Sequence, residues 1–180
     1  MITAGFLAEF KRATEAKSKN KSIDPAISGF QIRPEARWNP GLSEELIAEY
    51  QAVLNVRFPN DFKALLREMN GTDLSRLNVY ASTGHSHLEW VGVYSYPRDL
   101  KIVKDMIELI RSSRGDIARD LAEQGFELRA EANLVPIYEH RYVVCVPNAD
   151  SSVVLSIVVH DTDAIVYGAS LAEYLEREFL

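Results

Sequence analysis

Between Trp38 and Gly71, apolar residues return at three- and four-residue steps, first as Leu46, Ile47, Tyr50, Val53 and Leu54, then as Phe62, Leu65, Leu66 and Met69. That spacing predicts two amphipathic helices. Pro40 and Gly41 break whatever precedes, and Ser43 stands where an N-cap hydroxyl takes a free first-turn amide. Glu44 and Glu45 follow at the positive end of the helix dipole, and Leu42 and Ile47 hold the positions of a hydrophobic staple. Val56 and Phe58 turn the corner, Pro59 or Asn60 starts the second helix, and Asn70-Gly71 is expected to close it as a left-handed C-cap. This hairpin is a packing unit and contains no reaction centre.

Upstream, Ile2, Phe6, Leu7, Phe10 and Ala13 predict a helix over about residues 3–17, followed by the basic loop KSKNKSIDP. Ile27, Phe30 and Ile32 are expected to anchor this arm, and the proline-containing run from Arg33 to Pro40 is expected to be extended, with Trp38 under the hairpin. Downstream the period shortens. Leu74 to Ala81 is a weak strand candidate, and HSHLEWVGVYSY over 85–96 alternates, with Leu88, Trp90, Gly92 and Tyr94 on one face and Glu89, Val91, Val93 and Ser95 on the other. Asp99 and Asp116 are expected to cap helices ending near Ser112 and Gln124.

Strands are predicted at Leu134 to Tyr138, Arg141 to Val146, Val153 to His160 and Ala164 to Tyr167. The third is apolar on both faces, which marks a strand covered from both sides. Ser170 and Glu173 form a capping box before a helix carrying Leu171, Tyr174, Leu175 and Phe179. The expected fold class is α+β, a mostly antiparallel sheet with helices packed against it. Residues 1–37 read as an N-terminal helix and arm, and 38–180 as a single globular unit.

Charge changes this picture. Residues 1–37 carry +3 and the rest −9, within a net charge of −6. An acidic body repels phosphates and attracts basic partners, so no nucleic-acid partner is expected. The apolar runs fall short of the ~20 residues a membrane helix requires, so no membrane partner is expected either. The start, MITAGFLAEFKRATE, is interrupted by Glu9, Lys11 and Arg12 and does not read as a secretory leader. A single cysteine, Cys145, suits a reducing compartment, and the cytoplasm is the expected location.

Candidate chemistry is sparse. His85, His87 and Glu89 alternate, so on a strand they would share a face, and His160, Asp161 and Asp163 form a second cluster. Either defines the alternative reading, a metal-dependent or hydrolytic enzyme. The simpler reading is a polar loop entering a strand for the first and an Asp-stabilised turn for the second. His140 and Cys145 sit an odd number of residues apart on a strand and point to opposite faces, so Cys145 reads as a buried, inert thiol. There is no Gly-x-Ser-x-Gly elbow, phosphate-binding glycine loop, Cys-x-x-Cys or dinucleotide fingerprint, and no cofactor is expected. Trp90 reads as core, while Tyr94 and Tyr96 divide evenly between core and interface anchor.

WNPGLSEELIAEYQAVLNVRFPNDFKALLREMNG resembles the opening signature of the SUKH superfamily, which includes fungal cell-wall-assembly regulators and many bacterial immunity proteins. The matching features are Trp before Pro-Gly-Leu-Ser, an acidic helix, a Val-x-Phe-Pro corner and a second helix closed by Asn-Gly. LVPIYEHRYVVC, VVLSIVVHDTDAIVYG and SLAEYLEREF resemble the family's late strands and last helix, with Glu139-His140 where many members have Gly-Asp. The resemblance implies a non-enzymatic protein-binding domain, either an immunity protein that neutralises a bacterial toxin or a regulatory interaction module. It also implies that Trp38, Gly41, Leu42, Phe58, Pro59 and Gly71 are packing and turn positions. For a basic toxin domain as partner, the groups expected to meet it are Glu44, Glu45, Glu49, Glu89, Asp161 and Asp163, with Tyr94 and Tyr96 as anchors.

Overall fold

The computed structural model describes residues 2–19, 22, 24, 26, 29–31, 33–73, 76–79, 88–90, 92–158 and 163–180, without the side chains of 29–31, 76–79 and 88–90. Its helices are α1 (Ala4–Lys19), α2 (Glu44–Leu54), α3 (Asn60–Glu68), α4 (Leu100–Ser112), α5 (Arg114–Glu123) and α6 (Leu171–Phe179). Its strands are β1 (Gly29–Gln31), β2 (Trp38–Pro40), β3 (Met69–Thr72), β4 (Arg76–Val79), β5 (Leu88–Trp90), β6 (Asn133–Tyr138), β7 (Arg141–Cys145), β8 (Val154–Val158) and β9 (Asp163–Gly168). Among the described residues every pairing is antiparallel: β1-β4-β5, β2-β3, and the meander β6-β7-β8-β9. The fold is α+β. No helix among the described residues is long and apolar enough to cross a membrane.

The four-stranded meander is the partition of the molecule. Strand alternation sends Val135, Ile137, Val143, Cys145 and Val154 to one face, where Leu7, Phe10, Trp38, the α2–α3 hairpin and the inner stripe of α6 cover them. Leu134, Tyr142, Val144, Leu155 and Ile157 point the other way, onto Ile110, Ile117 and Leu121 of α4 and α5. This two-sided covering is what the doubly apolar third late strand predicted.

Local rules explain several element boundaries. Ser43 Oγ accepts from Leu46 N at 3.3 Å to start α2, and Asn55 closes it in the left-handed region with φ 54°. Ser170 Oγ accepts from Glu173 N at 3.2 Å, while the Glu173 carboxylate reaches back to Ala169 N at 3.1 Å. The corner after α2 is tied by Phe58 N donating to Gln51 Oε1 at 2.8 Å, and Phe58 sits edge-on between Tyr50 and Phe62. Gly41 has a steric reason: a Cβ there would lie 1.8 Å from Arg67 O, inside the crossing that Leu42 N makes with Leu66 O.

Several expectations change. Ala13 is exposed, and Thr14 takes the inner position of α1, because burial follows Leu7, Phe10, Thr14 and Ser18. Thr14 can be buried because its hydroxyl donates to Phe10 O and accepts from Trp38 Nε1, both at 2.9 Å. Asn70-Gly71 is strand rather than helix cap. Helix α3 stops at Glu68, Met69 is extended, and β3 pairs with β2; the positive φ of Gly71, 67°, falls inside that strand, where a Cβ would meet Val93 O at 2.5 Å. The predicted 85–96 strand is described as strand only at Leu88–Trp90, and from residue 92 the chain runs between β3 and β6, with Thr72 N bonding Val93 O and Tyr94 N bonding Ile137 O. Val93 is consequently buried while Tyr94 is half-buried. Last, Asp99 and Asp116 do not cap their helices with side-chain bonds: Asp99 turns back to accept from Ser95 N, and Asp116 lies in the first turn of α5, paired with Arg119.

Leu46 and Val53, read as part of the inner stripe of α2, are 39% and 38% exposed. Ile47, Tyr50 and Leu54 define the buried arc of the helix, and at 100° per residue Leu46 and Val53 lie on its shoulder.

Candidate functional site

Helix α2 carries three of the sequence-predicted acids, and each is differently engaged. Glu44 is paired with Arg67 of α3, through Nε–Oε1 and through Nη2–Oε2 at 3.1 Å, and this partner holds its carboxyl below the usual carboxylate range. Glu45 is held below that range by hydrogen bonds from its own amide and from Ser43. Glu49 accepts from the Tyr96 hydroxyl, and this bond raises the Tyr96 phenol above its ordinary value. All three carboxylates are on exposed residues.

The two tyrosines separate. Tyr96 is 5% exposed and stacks on Tyr50 at 4.5 Å between ring centroids, so its ring belongs to the core and its hydroxyl reaches Glu49. Its backbone is clasped by Asn70, whose Oδ1 accepts from Tyr96 N at 2.9 Å and whose Nδ2 donates to Tyr96 O at 2.6 Å. Tyr94 is half-buried, donates to Met106 Sδ at 3.2 Å and has its phenol pushed up by burial. What faces outward on α2 is therefore a strip of Glu45, Leu46, Glu49 and Val53, two carboxylates set against two exposed aliphatic side chains.

Asp163 is exposed at the start of β9. His85, His87, His160 and Asp161 lie outside the described residues, as does the side chain of Glu89, whose backbone is in β5. Among the described residues no group of three or more His, Cys, Asp or Glu side chains is arranged to hold a metal ion. Cys145 is fully buried, and burial first, then the nearby Asp61 carboxylate, raises its thiol well above the ordinary value; thiolate chemistry is disfavoured there.

Two polar sites, one buried and one half-buried, escaped the sequence reading. Asp61, in the first turn of α3, accepts from Phe62 N and Ser152 N, each at 2.7 Å, and from Ser152 Oγ at 2.9 Å. Burial raises its carboxyl pKa, and the bonds from Ser152 oppose that rise. Its signal was an Asp two residues past Pro59, and its partner, 91 residues away, leaves no local trace. The second is Arg141, which donates to Ser156 Oγ at 2.8 Å, approaches Glu178 Oε2 at 3.5 Å and lies 3.8 Å above the Tyr167 ring. Arg177 covers the same ring at 4.5 Å. This cation–π stack fastens α6 to the sheet. Beside it, burial and then the Arg141 charge lower the His140 pKa.

The geometry thus offers a shaped, acidic and partly apolar helix face held rigid from below. A sequence model of the SMI1 / KNR4 family (SUKH-1) matches residues 41–177. No curated protein and no solved structure matches the chain. The match begins at Gly41, whose missing Cβ lets α3 pass, and runs through the hairpin, the meander and most of α6. With most of its length so matched, the chain belongs to the SMI1 / KNR4 family (SUKH-1).

Proposed function

We propose that this protein is a non-catalytic, cytoplasmic binding domain that holds a basic protein partner, and that the partner is a toxin which it neutralises. The observation that carries this reading is the outward strip of α2. Glu45 and Glu49 lie on the solvent side of Leu46 and Val53, which are 39% and 38% exposed on the shoulder of the arc buried through Ile47, Tyr50 and Leu54. Carboxylates beside an exposed aliphatic pair steer a basic surface into register and then give it something to bury. The body beyond residue 37, at −9, adds long-range attraction of the same sign. Membership of a family whose relatives act through protein contacts supports the same reading, and the family hallmarks Gly41 and Gly71 are explained by close backbone approach rather than by chemistry.

The test is co-expression with the product of a toxin-like reading frame encoded beside this one. The expected result is a complex that survives purification and restores growth. Glu45→Lys combined with Leu46→Asp weakens that complex about a hundredfold or more while leaving thermal unfolding in place. If no complex forms and no protection is seen, the neutralisation reading is wrong.

A further inference from the structure

The N-terminal arm builds a surface of opposite character. A groove of about 730 Å³ runs between the second half of α1 and the segment 35–37 that leads into β2. It lies wholly outside the family-matched residues. Arg12 and Lys19 line it from α1 and Arg37 from the facing segment, with Glu15 and Glu35 between them.

The walls are fixed from beneath. Ser18 Oγ donates to Ala36 O at 2.9 Å, and Glu35 N donates to Ser18 O at 3.3 Å. Arg37 N donates to Asp73 Oδ1 at 2.8 Å, and Asp73 N returns a bond to Arg37 O at 2.9 Å. Glu15 accepts from Trp38 N at 3.1 Å, which engages one of the two acids of the lining. The cations are therefore mounted on two walls joined by the bonds that Glu15 and Ser18 make to the 35–38 segment.

Guanidinium groups on opposite walls suit planar carboxylates, each of which accepts two parallel N–H bonds. The lining also selects among anions. Nucleic acid and anionic lipid bring continuous negative charge, which would meet Glu35 in the groove and the acidic body outside it. A short peptide with spaced carboxylates avoids the acids of the lining, because its neutral amides can lie against them, and it extends less negative charge over the body outside. We propose that this groove is a second binding site, independent of the α2 strip, that takes an acidic peptide segment of a partner protein.

The experiment uses the full chain and a fluorescein-labelled peptide of alternating glutamate and glycine, read by anisotropy at low salt. Saturable binding is expected. Arg12→Glu with Arg37→Glu weakens it about tenfold or more, whereas the charge-matched pair Lys104→Glu with Arg119→Glu, on α4 and α5, changes it less than about twofold. Arg12→Gln with Arg37→Gln, which keeps polar side chains in the groove, is read alongside and is expected to weaken binding in the same direction with the melting temperature unchanged. The proposal is overturned if the peptide does not bind saturably or if both charge-reversed pairs weaken it equally. Tighter binding of labelled oligothymidylate or of phosphatidylserine vesicles than of the peptide overturns it too.

Discussion

The two faces of the meander are packed by different means. Below it, Ile110, Ile117, Leu121, Leu134, Leu155, Ile157 and Ala164 make an aliphatic core with Tyr142 as its buried aromatic member. Above it, two groups of ring contacts form, Phe10 with Trp38 and Phe179, and Tyr50 with Phe58, Phe62 and Tyr96, and buried Thr14, Asn70 and Asp61 bond within the same layer. An aliphatic layer is held by volume and tolerates swaps of similar size. Rings and buried polar groups have directional needs, so the upper layer admits one arrangement of α1, the hairpin and the 92–96 segment. The candidate binding strip sits on that layer, and its rigidity comes from it.

The largest expected effect that sharpens this contrast is Phe58→Ala. Phe58 is 2% exposed between two rings, and its loss should cost about 3–5 kcal/mol in urea unfolding. A loss below ~1 kcal/mol would show that the aromatic layer is not the structural centre. Asn70→Ala comes next, at about 2–3 kcal/mol, because it leaves the buried Tyr96 N–H and C=O without the partners at 2.9 and 2.6 Å. The same substitution should loosen the 92–96 segment, seen as faster amide exchange at Tyr94 and Tyr96. Ile157→Val, in the aliphatic layer, should cost only about 0.5–1.5 kcal/mol, and a larger loss would erase the distinction between the layers.

The smallest effect is a slope. Burial raises the Asp61 carboxyl pKa in the folded protein, so folding favours its protonated form. Its contribution is therefore fully present below the ordinary carboxylate range and is lost as pH rises through the raised folded value. Asp61→Asn removes that dependence. The stability of the variant minus that of the native protein should rise from acidic to neutral pH, measured by denaturant midpoints across that range. A flat or falling difference would show that the bonds from Ser152, and not burial, dominate.

What was legible in the chain followed from how far apart the interacting residues are. Ser43 and the Ser170–Glu173 pair act within four residues, and the helices they start were readable from spacing and caps. The doubly apolar β8 announced its two covers. Thr14 meeting Trp38, Asn70 clasping Tyr96 and Asp61 bonding Ser152 join residues 24, 26 and 91 positions apart, and no local pattern encodes them. The same limit applied to the candidate site. The acids of α2 were visible as a charged face, but the engagement of Glu44 by Arg67 and the burial of the Tyr96 ring required the packed structure.

Hydrogen–deuterium exchange on the purified complex with the neighbouring toxin-like product tests the binding account most directly. Protection is expected across α2, centred on residues 45–53. Protection confined to the β9 edge or to α5, with α2 exchanging as in the free protein, would contradict it.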